Sequence, residues 1–280
     1  MTGAAIRLGL VGALGRMGLE IARAAARRQD LRVAAAIERA DHPDLGADLA
    51  RLAGSGPAGV IVGADLARGV AGVDVVIDLS HPAAAARTAD AAAAAGKALL
   101  CGTTGLDEAA LAAIDRAAAK VPVLHTPNLS PGAAVLAELV RRAAAALGEE
   151  YDVEIVELHH RRKVDAPSGT ALMLAREAAR GRGEEAPDLC LGRNGRTGER
   201  PAGQIGVHAV RGGSVFGEHR VILAGPHERL EIVHSAESRA LFAEGALRAA
   251  LFLARAKPGR YTMADVLEAK VASITAAGTP

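Results

Sequence analysis

Tryptophan is absent from this chain of 280 residues, and tyrosine and phenylalanine together supply only five side chains, two and three respectively. At 2% aromatics there is no stacking platform for single-stranded nucleic acid. Neither sign of charge is in excess. A formal charge of +1, from 33 Lys and Arg against 32 Asp and Glu, excludes the basic field that general polyanion binding requires. The two cysteines, Cys101 and Cys190, lie far apart in the sequence, which argues against a disulfide framework and for a reducing compartment. Cys101 ends an apolar run and reads as a small core residue rather than a nucleophile. No apolar run reaches the roughly 18 residues of a membrane span, and the first residues carry no basic stretch before the first strand pattern. The expectation is a soluble cytoplasmic protein with neither nucleic acid nor membrane as partner.

What the chain has instead is alanine, glycine and regular alternation. Hydrophobic residues make up 50%, inflated by alanine stretches such as 91–95 that read as helix. The length exceeds one ordinary domain, so two are expected. Residues 6–11 form a short apolar strand, followed by Gly12-Ala-Leu-Gly15-Arg-Met-Gly18 and a helix over 19–28. Strand, glycine turn and helix in that order suit the approach of a pyrophosphate to a helix N-terminus, although packing glycines in any such turn are the plain alternative. The next strand, 31–37, ends in Glu38-Arg39. An acid about 20 positions after the turn is placed for a ribose diol, and Arg39 for adenine or a 2′-phosphate. The adjacent acid and base leave the choice between NADH and NADPH open.

Residues 41–69 fit no long element and read as loops with one short strand at 59–62. Strands at 73–79, 98–101 and 121–125 then alternate with helices at 83–95, closed by Gly96, and 107–119. This alternation implies a parallel, doubly wound α/β sheet. Its polar loops at 12–18, 38–39, 80–82, 102–105 and 126–132 all fall at the carboxyl edge of the strands, where ligands bind such sheets. After a helix over 133–147 the character changes. Segments 151–158, 206–211, 214–224 and 229–235 alternate like strands of a mostly antiparallel sheet. Residues 181–203 look like a mobile loop. A helix returns at 240–256, 261–267 suits one short final turn, and the tail from 268 on reads as loose. The organisation expected is a Rossmann-like dinucleotide-binding domain, 1–130 completed by 240–280, and a second α+β domain, 131–239.

The most informative stretch is Glu157-Leu-His-His-Arg-Arg-Lys-Val-Asp-Ala-Pro-Ser-Gly-Thr-Ala171, a strand end, a turn and a helix start. A helix start offers unpaired N–H groups to an anion, Gly169 allows close approach, and Ser168 and Thr170 add hydroxyls. His159, His160 and Lys163 opposite it make a pocket for a carboxylate with proton donors beside it. The plain alternative is a solvated basic turn with Ser168 as an N-cap. No metal is expected, because adjacent histidines on a strand point to opposite faces and no third ligand is suitably spaced.

These motifs, with Gly102-Thr-Thr-Gly105, Arg211-Gly-Gly-Ser-Val-Phe-Gly-Glu-His219 and Glu228-Arg-Leu-Glu-Ile-Val-His-Ser-Ala-Glu-Ser-Arg239, resemble the 4-hydroxy-tetrahydrodipicolinate (dihydrodipicolinate) reductase family over nearly the whole chain. The resemblance implies reduction of the cyclic dicarboxylate of the diaminopimelate route to lysine, giving tetrahydrodipicolinate, with NADH and/or NADPH as cofactor. By it the nucleotide contacts Gly12, Ala13, Leu14, Gly15, Arg16, Met17, Glu38, Arg39, Gly102, Thr103, Thr104, Thr126, Pro127, Asn128 and Leu129. His159 and Lys163 become the proton-donor candidates. His160, Gly169 and Thr170, beside Lys163 and Ser168, hold the substrate carboxylates. It also implies a homotetramer built through the second domain's sheet. The chain departs from the family pattern after Ile77-Asp78, where Leu79-Ser80-His81 stands in place of Phe-Thr-Arg, and the lost cation tilts the expectation towards NADH. Two other readings are a related two-domain dehydrogenase, which would need a nucleophilic cysteine that Cys101 is badly placed to be, and a nucleotide-sensing regulator, which would have lost His159, His160 and Lys163.

Overall fold

The computed structural model describes residues 4–277, in two compact units. One runs from the first described residues to Leu129 and resumes at Arg239; the other is Ser130–Ser238. Strand β1 (Ile6–Val11) is followed by α1 (Arg16–Ala25), β2 (Leu31–Ile37), α2 (Leu49–Leu52), β3 (Val62–Gly63), α3 (Leu66–Ala71), β4 (Val75–Asp78), α4 (Pro82–Ala95), β5 (Ala98–Cys101), α5 (Glu108–Ala118) and β6 (Pro122–His125). The second unit contributes α6 (Pro131–Leu147), β7 (Asp152–His159), α7 (Gly169–Gly181), β8 (Leu189–Cys190), β9 (Ile205–Arg211), β10 (Glu218–Ala224) and β11 (Arg229–Ser235). The chain then returns through α8 (Ala240–Leu253), β12 (Gly259–Tyr261) and α9 (Met263–Ala277).

The first unit is a seven-stranded sheet in the order β12-β6-β5-β4-β1-β2-β3, every neighbouring pair parallel. Its central strands β4 and β5 are buried at every position, as helices on both faces demand of a parallel sheet. Between β1 and β4 the strand order reverses, and the loops after both strands open at the carboxyl edge. Gly96, in the left-handed conformation, ends α4 at the expected place.

Three expectations need correction. Residues 41–69, mostly loop as expected, also hold two short helices that were not, α2 and the start of α3, each begun by an aspartate cap, Asp48 accepting from Ala50 and Arg51 and Asp65 from Arg68. Helices of four and six residues are too short to leave a periodic signature. The segment 181–203 is pinned rather than free. Arg193 and Arg200 both reach the Glu154 carboxylate, Arg200 also bonds Asp152, and β8 pairs with β9. The short final turn expected at 261–267 is instead the start of a longer helix, α9, which opens with a reciprocal cap between Thr262 and Asp265 and continues through the tail to Ala277. Residues 278–280 of that expected tail lie outside the described residues.

The second unit is a five-stranded sheet, β11-β10-β7-β9-β8, with α6 and α7 on one face. β10 runs antiparallel to both β11 and β7 over seven residue pairs each, whereas β7 and β9 are parallel over seven and β8 and β9 over two, so antiparallel pairing is the larger share. Val153, Ile155, Val207, Val221 and Leu223 point inward against Leu136, Val140, Leu174 and Ala178. Gly181, the last residue of α7, brings that helix against α6: a Cβ there would collide with the Arg141 carbonyl oxygen and lie 3.0 Å from the Ala144 methyl. Gly181→Ala is therefore expected to lower stability by about 1–3 kcal/mol through overpacking. The check is the urea unfolding midpoint, and a midpoint at or above the parent value would refute this account of the helix contact.

Candidate active site

At the carboxyl edge of the parallel sheet, Gly12 leaves β1 with φ +77°, and a Cβ at that position would stand 2.7 Å from the Leu79 carbonyl oxygen. Its N–H is held 2.9 Å from the Ile37 carbonyl, so the turn is stitched to the end of β2. Gly15 caps α1 from an exposed position. Glu38 closes the turn from the other side: Oε1 accepts from the Leu14 N–H at 2.9 Å and Oε2 from the Arg39 N–H at 3.2 Å. Arg39 extends into solvent and pairs with Asp41 at 3.1 Å. Together these residues wall a cleft of about 670 Å³ that continues past Leu79, Ser80 and His81 to Ala84, Arg87 and Thr88 of α4, with Ala64 and Leu66 opposite.

The glycine turn and Glu38-Arg39 thus share one cleft, as their motifs suggested. Gly12, Gly15, Glu38 and Arg39 line it. Arg16, exposed, and the half-buried Met17 continue into α1, while Ala13 is fully buried beneath the turn. The loops after β5 and β6 do not line this cleft but extend the same edge. Gly102 makes that possible, since a Cβ on it would sit 2.9 Å from the Leu79 side chain and 3.4 Å from that of Leu129. Thr103 is buried, with its hydroxyl given to the Asp78 carboxylate at 3.1 Å, whereas Thr104 and Pro127 are exposed. Thr126 donates to the Asn128 carbonyl at 2.8 Å, fixing the turn.

Sequence reasoning missed Arg87 and Thr88. Their spacing from Ala84, three and four residues, places all three on one face of α4, but a helical face announces a ligand only once its partner wall is known. It also missed Asp78. This fully buried carboxylate ties the end of β4 to Ser80 and Thr103. Cys101 is buried, and burial pushes its thiol pKa up to about 12, which fits a core residue and not a nucleophile.

In the second unit, Ser168 caps α7 and accepts from the Ala171 N–H at 3.2 Å. The same hydroxyl lies 3.1 Å from His219 Nε2 and is hydrogen-bonded to the imidazole while accepting from the helix. Burial drives the His219 pKa down to about 4, so the ring is neutral near pH 7. At the end of β7, His159 Nδ1 is 2.5 Å from Glu157 Oε2. Glu157 has no exposed surface; both its oxygens are gripped by the Arg211 guanidinium at 2.7 and 2.8 Å, and Oε1 also accepts from the Ser168 N–H at 3.1 Å. Burial works to raise the Glu157 pKa, but Arg211 and His159 outweigh it and hold the carboxyl below its ordinary value. Burial likewise lowers His159, and Glu157 only partly offsets it.

The turn between these points is folded onto the loop after β9, with the His160 N–H on the Val215 carbonyl at 2.8 Å and Gly212 N–H on the His159 carbonyl at 2.9 Å. His160 Nδ1 is buried without a partner. Lys163 Nζ is held by both oxygens of Asp165 at 2.8 Å, with one-fifth of its side chain exposed. Arg161 and Arg162 are exposed. Gly169 is exposed and Thr170 half-buried at the first turn of α7. Among the described residues no group of three or more His, Cys, Asp or Glu is placed to hold a metal, and no helix is long and apolar enough to cross a membrane.

Two family models account for almost all of the chain: dihydrodipicolinate reductase, N-terminus, over residues 6–129, and dihydrodipicolinate reductase, C-terminus, over residues 132–267. A 4-hydroxy-tetrahydrodipicolinate reductase of Anaeromyxobacter dehalogenans is 51% identical over 259 residues, 92% of this chain and 96% of the relative. That of Alkalilimnicola ehrlichii is 46% identical over 262 residues, 93% and 98% of the two chains. Among solved structures, a dipicolinate-bound dihydrodipicolinate reductase from Paenisporosarcina sp. TG-14 superposes with a TM-score of 0.73 at 25% identity, covering 92% of this chain and 97% of that one. A probable dehydrogenase from Thermotoga maritima, at 15% identity, TM-score 0.61 and coverage of 93% and 92%, shares the fold. Half-identical relatives matched almost end to end, and both halves of the family model in sequence order, mean that this chain belongs to the dihydrodipicolinate reductase family.

Proposed function

We propose that this protein reduces 4-hydroxy-tetrahydrodipicolinate to tetrahydrodipicolinate in the diaminopimelate route to lysine, using NADH or NADPH. The observation that carries the proposal is the joining, in one strand–turn–helix of the second unit, of His159, His160 and Lys163 to the capped start of α7. The first unit, 1–130 with 240–280, is read as the nucleotide-binding domain, and 131–239 as the substrate and assembly domain.

The cleft fits a pyridine nucleotide. Gly15 leaves the start of α1 open to a pyrophosphate, Glu38 offers a carboxylate to a ribose diol, and Arg39 stands at the rim. Arg16 and Met17, then the backbone of Ala13 and Leu14, complete that end. Gly102, Thr103, Thr104, Thr126, Pro127, Asn128 and Leu129 line the continuing edge. When bound, the nucleotide supplies a hydride. The chain's own residues do the rest. Gly169 and Thr170 at the first turn of α7, with Ser168 fixing its geometry, receive one substrate carboxylate, and His160 assists with the other. Loss of the 4-hydroxyl as water leaves a conjugated imine, and Lys163 opposes the negative charge that conjugation carries to its ring nitrogen when hydride adds to a ring carbon. To do so it must remain an ammonium, so the proton comes from His159, whose lowered pKa makes its imidazolium a ready acid.

The sheet face turned away from α6 and α7 carries Val156, Leu158, Val210, Ile222 and Val233, with Val210 and Val233 nearly half exposed. They form an apolar stripe on a face that also carries Glu154, His208, Arg220 and Glu231, and such a stripe supports a homotetramer built through it. Light scattering is expected to give four copies for the parent and fewer for the double variant Val210→Glu, Val233→Glu. A double variant still tetrameric would remove the sheet from the interface.

Lys163→Ala is expected to lower kcat by about 100-fold or more, as for loss of a transition-state charge partner. Nucleotide affinity should be unchanged, and a large loss of it would contradict the role. Glu38→Ala should weaken NADH about tenfold, roughly 1.4 kcal/mol, and NADPH less. Equal losses, read from nucleotide fluorescence titrations, would remove the ribose-diol assignment.

A further inference from the structure

We propose that Glu157 is a positioning residue: it holds His159 with a proton on Nδ1, so that Nε2 is the nitrogen that exchanges with substrate, and it seats the carboxylate-binding start of α7 against the same histidine. The proposal rests on reading His159 as the proton donor. Its geometry stands on one carboxylate serving three elements. Glu157 and His159 are alternate residues of β7, so their side chains share the face beneath α7. The carboxylate takes the imidazole at 2.5 Å, the Ser168 N–H at 3.1 Å and the Arg211 fork from β9. Arg211 in turn donates to the Asp165 carbonyl at 2.7 Å, reaching the turn that carries Lys163.

A carboxylate has only acceptors, so the contact requires Nδ1 to carry the hydrogen. Packing alone gives no reason for a charge at a fully buried position, because leaving water costs an isolated carboxylate dearly. The charge has a purpose if His159 must become an imidazolium in the same enclosed place. None of the neighbouring groups named next favours a positive charge on that ring. Lys163 and Arg211 repel it, His219 meets it edge to face at 5.2 Å, and Ser168 commits its hydroxyl to His219 and the helix. Asp165 is spent on Lys163, and the Gly217 backbone leaves Nε2 room: a Cβ there would come within 3.0 Å of it. Glu157 alone among these opposes the fall of the His159 pKa by both hydrogen bond and charge.

The test is the pH dependence of kcat for the parent, Glu157→Gln, Glu157→Asp and His159→Gln, each with its nucleotide affinity measured. An imidazolium donor makes activity fall as pH rises through its pKa in the bound enzyme. The amide of Glu157→Gln can still accept from Nδ1 but carries no charge, so the alkaline limb should move to lower pH by about one unit or more. Glu157→Asp, which keeps the charge, should lie closer to the parent, and nucleotide affinity should not change. An unmoved limb in Glu157→Gln, where His159→Gln abolishes it, overturns the positioning role alone. A limb that persists in His159→Gln overturns the donor reading beneath it. Should Glu157→Gln fail to fold, nitrogen NMR of the parent decides: a protonated Nδ1 and bare Nε2 on neutral His159 support the role, and the opposite tautomer overturns it.

Discussion

A carboxylate without exposed surface cannot borrow its solvation from water, so the protein around Glu157 is arranged to replace it. Arg211 supplies a bidentate partner from β9, His159 a ring nitrogen from β7, and Ser168 a backbone N–H from the start of α7. β9 is distant in sequence from β7 and α7, and the latter two carry residues that the proposed reaction needs. Losing the carboxylate would therefore loosen the histidine, the start of α7 and the lysine turn together. The same economy governs Ser168, whose hydroxyl caps α7 and is also hydrogen-bonded to His219.

In the first unit the corresponding constraint is steric. The chain leaving β1 must turn sharply under the Leu79 carbonyl, and only glycine fits at position 12. Gly102 likewise lets the loops after β4, β5 and β6 approach one another. The cleft and the edge beyond it follow from a parallel sheet whose strand order reverses between β1 and β4. His81 accepts from the Ala83 N–H as the cap of α4, and Arg87, further along that helix, lines the same cleft.

Much of this was legible in the sequence, for physical reasons that differ by region. Long buried strands such as β4 and β5 and capped helices such as α4 leave strong local patterns, and the Ser168 cap was readable from Pro-Ser-Gly-Thr alone. The helices α2 and α3 were not, because four to six residues cannot repeat a 3.6-residue period often enough to be seen. α1 begins at Arg16 rather than 19, since the last residues of the glycine turn are already helical. The segment 181–203, rich in Gly, Pro and Arg, looked free because its anchors, Glu154 and Asp152, lie some 40 residues away.

The sequence by itself determined the two-part organisation, the nucleotide motif with its following acid, and the histidine–lysine–helix-start combination, because each is encoded within about 30 contiguous residues or a repeated local pattern. Only the tertiary structure decided which of those residues are spent on the protein itself. Thr103 gives its hydroxyl to Asp78, Lys163 is held by Asp165, and Glu157, unremarkable in a strand, becomes the shared partner of His159, Ser168 and Arg211. Burial and long-range hydrogen bonding are properties of the packed chain, and no local pattern carries them.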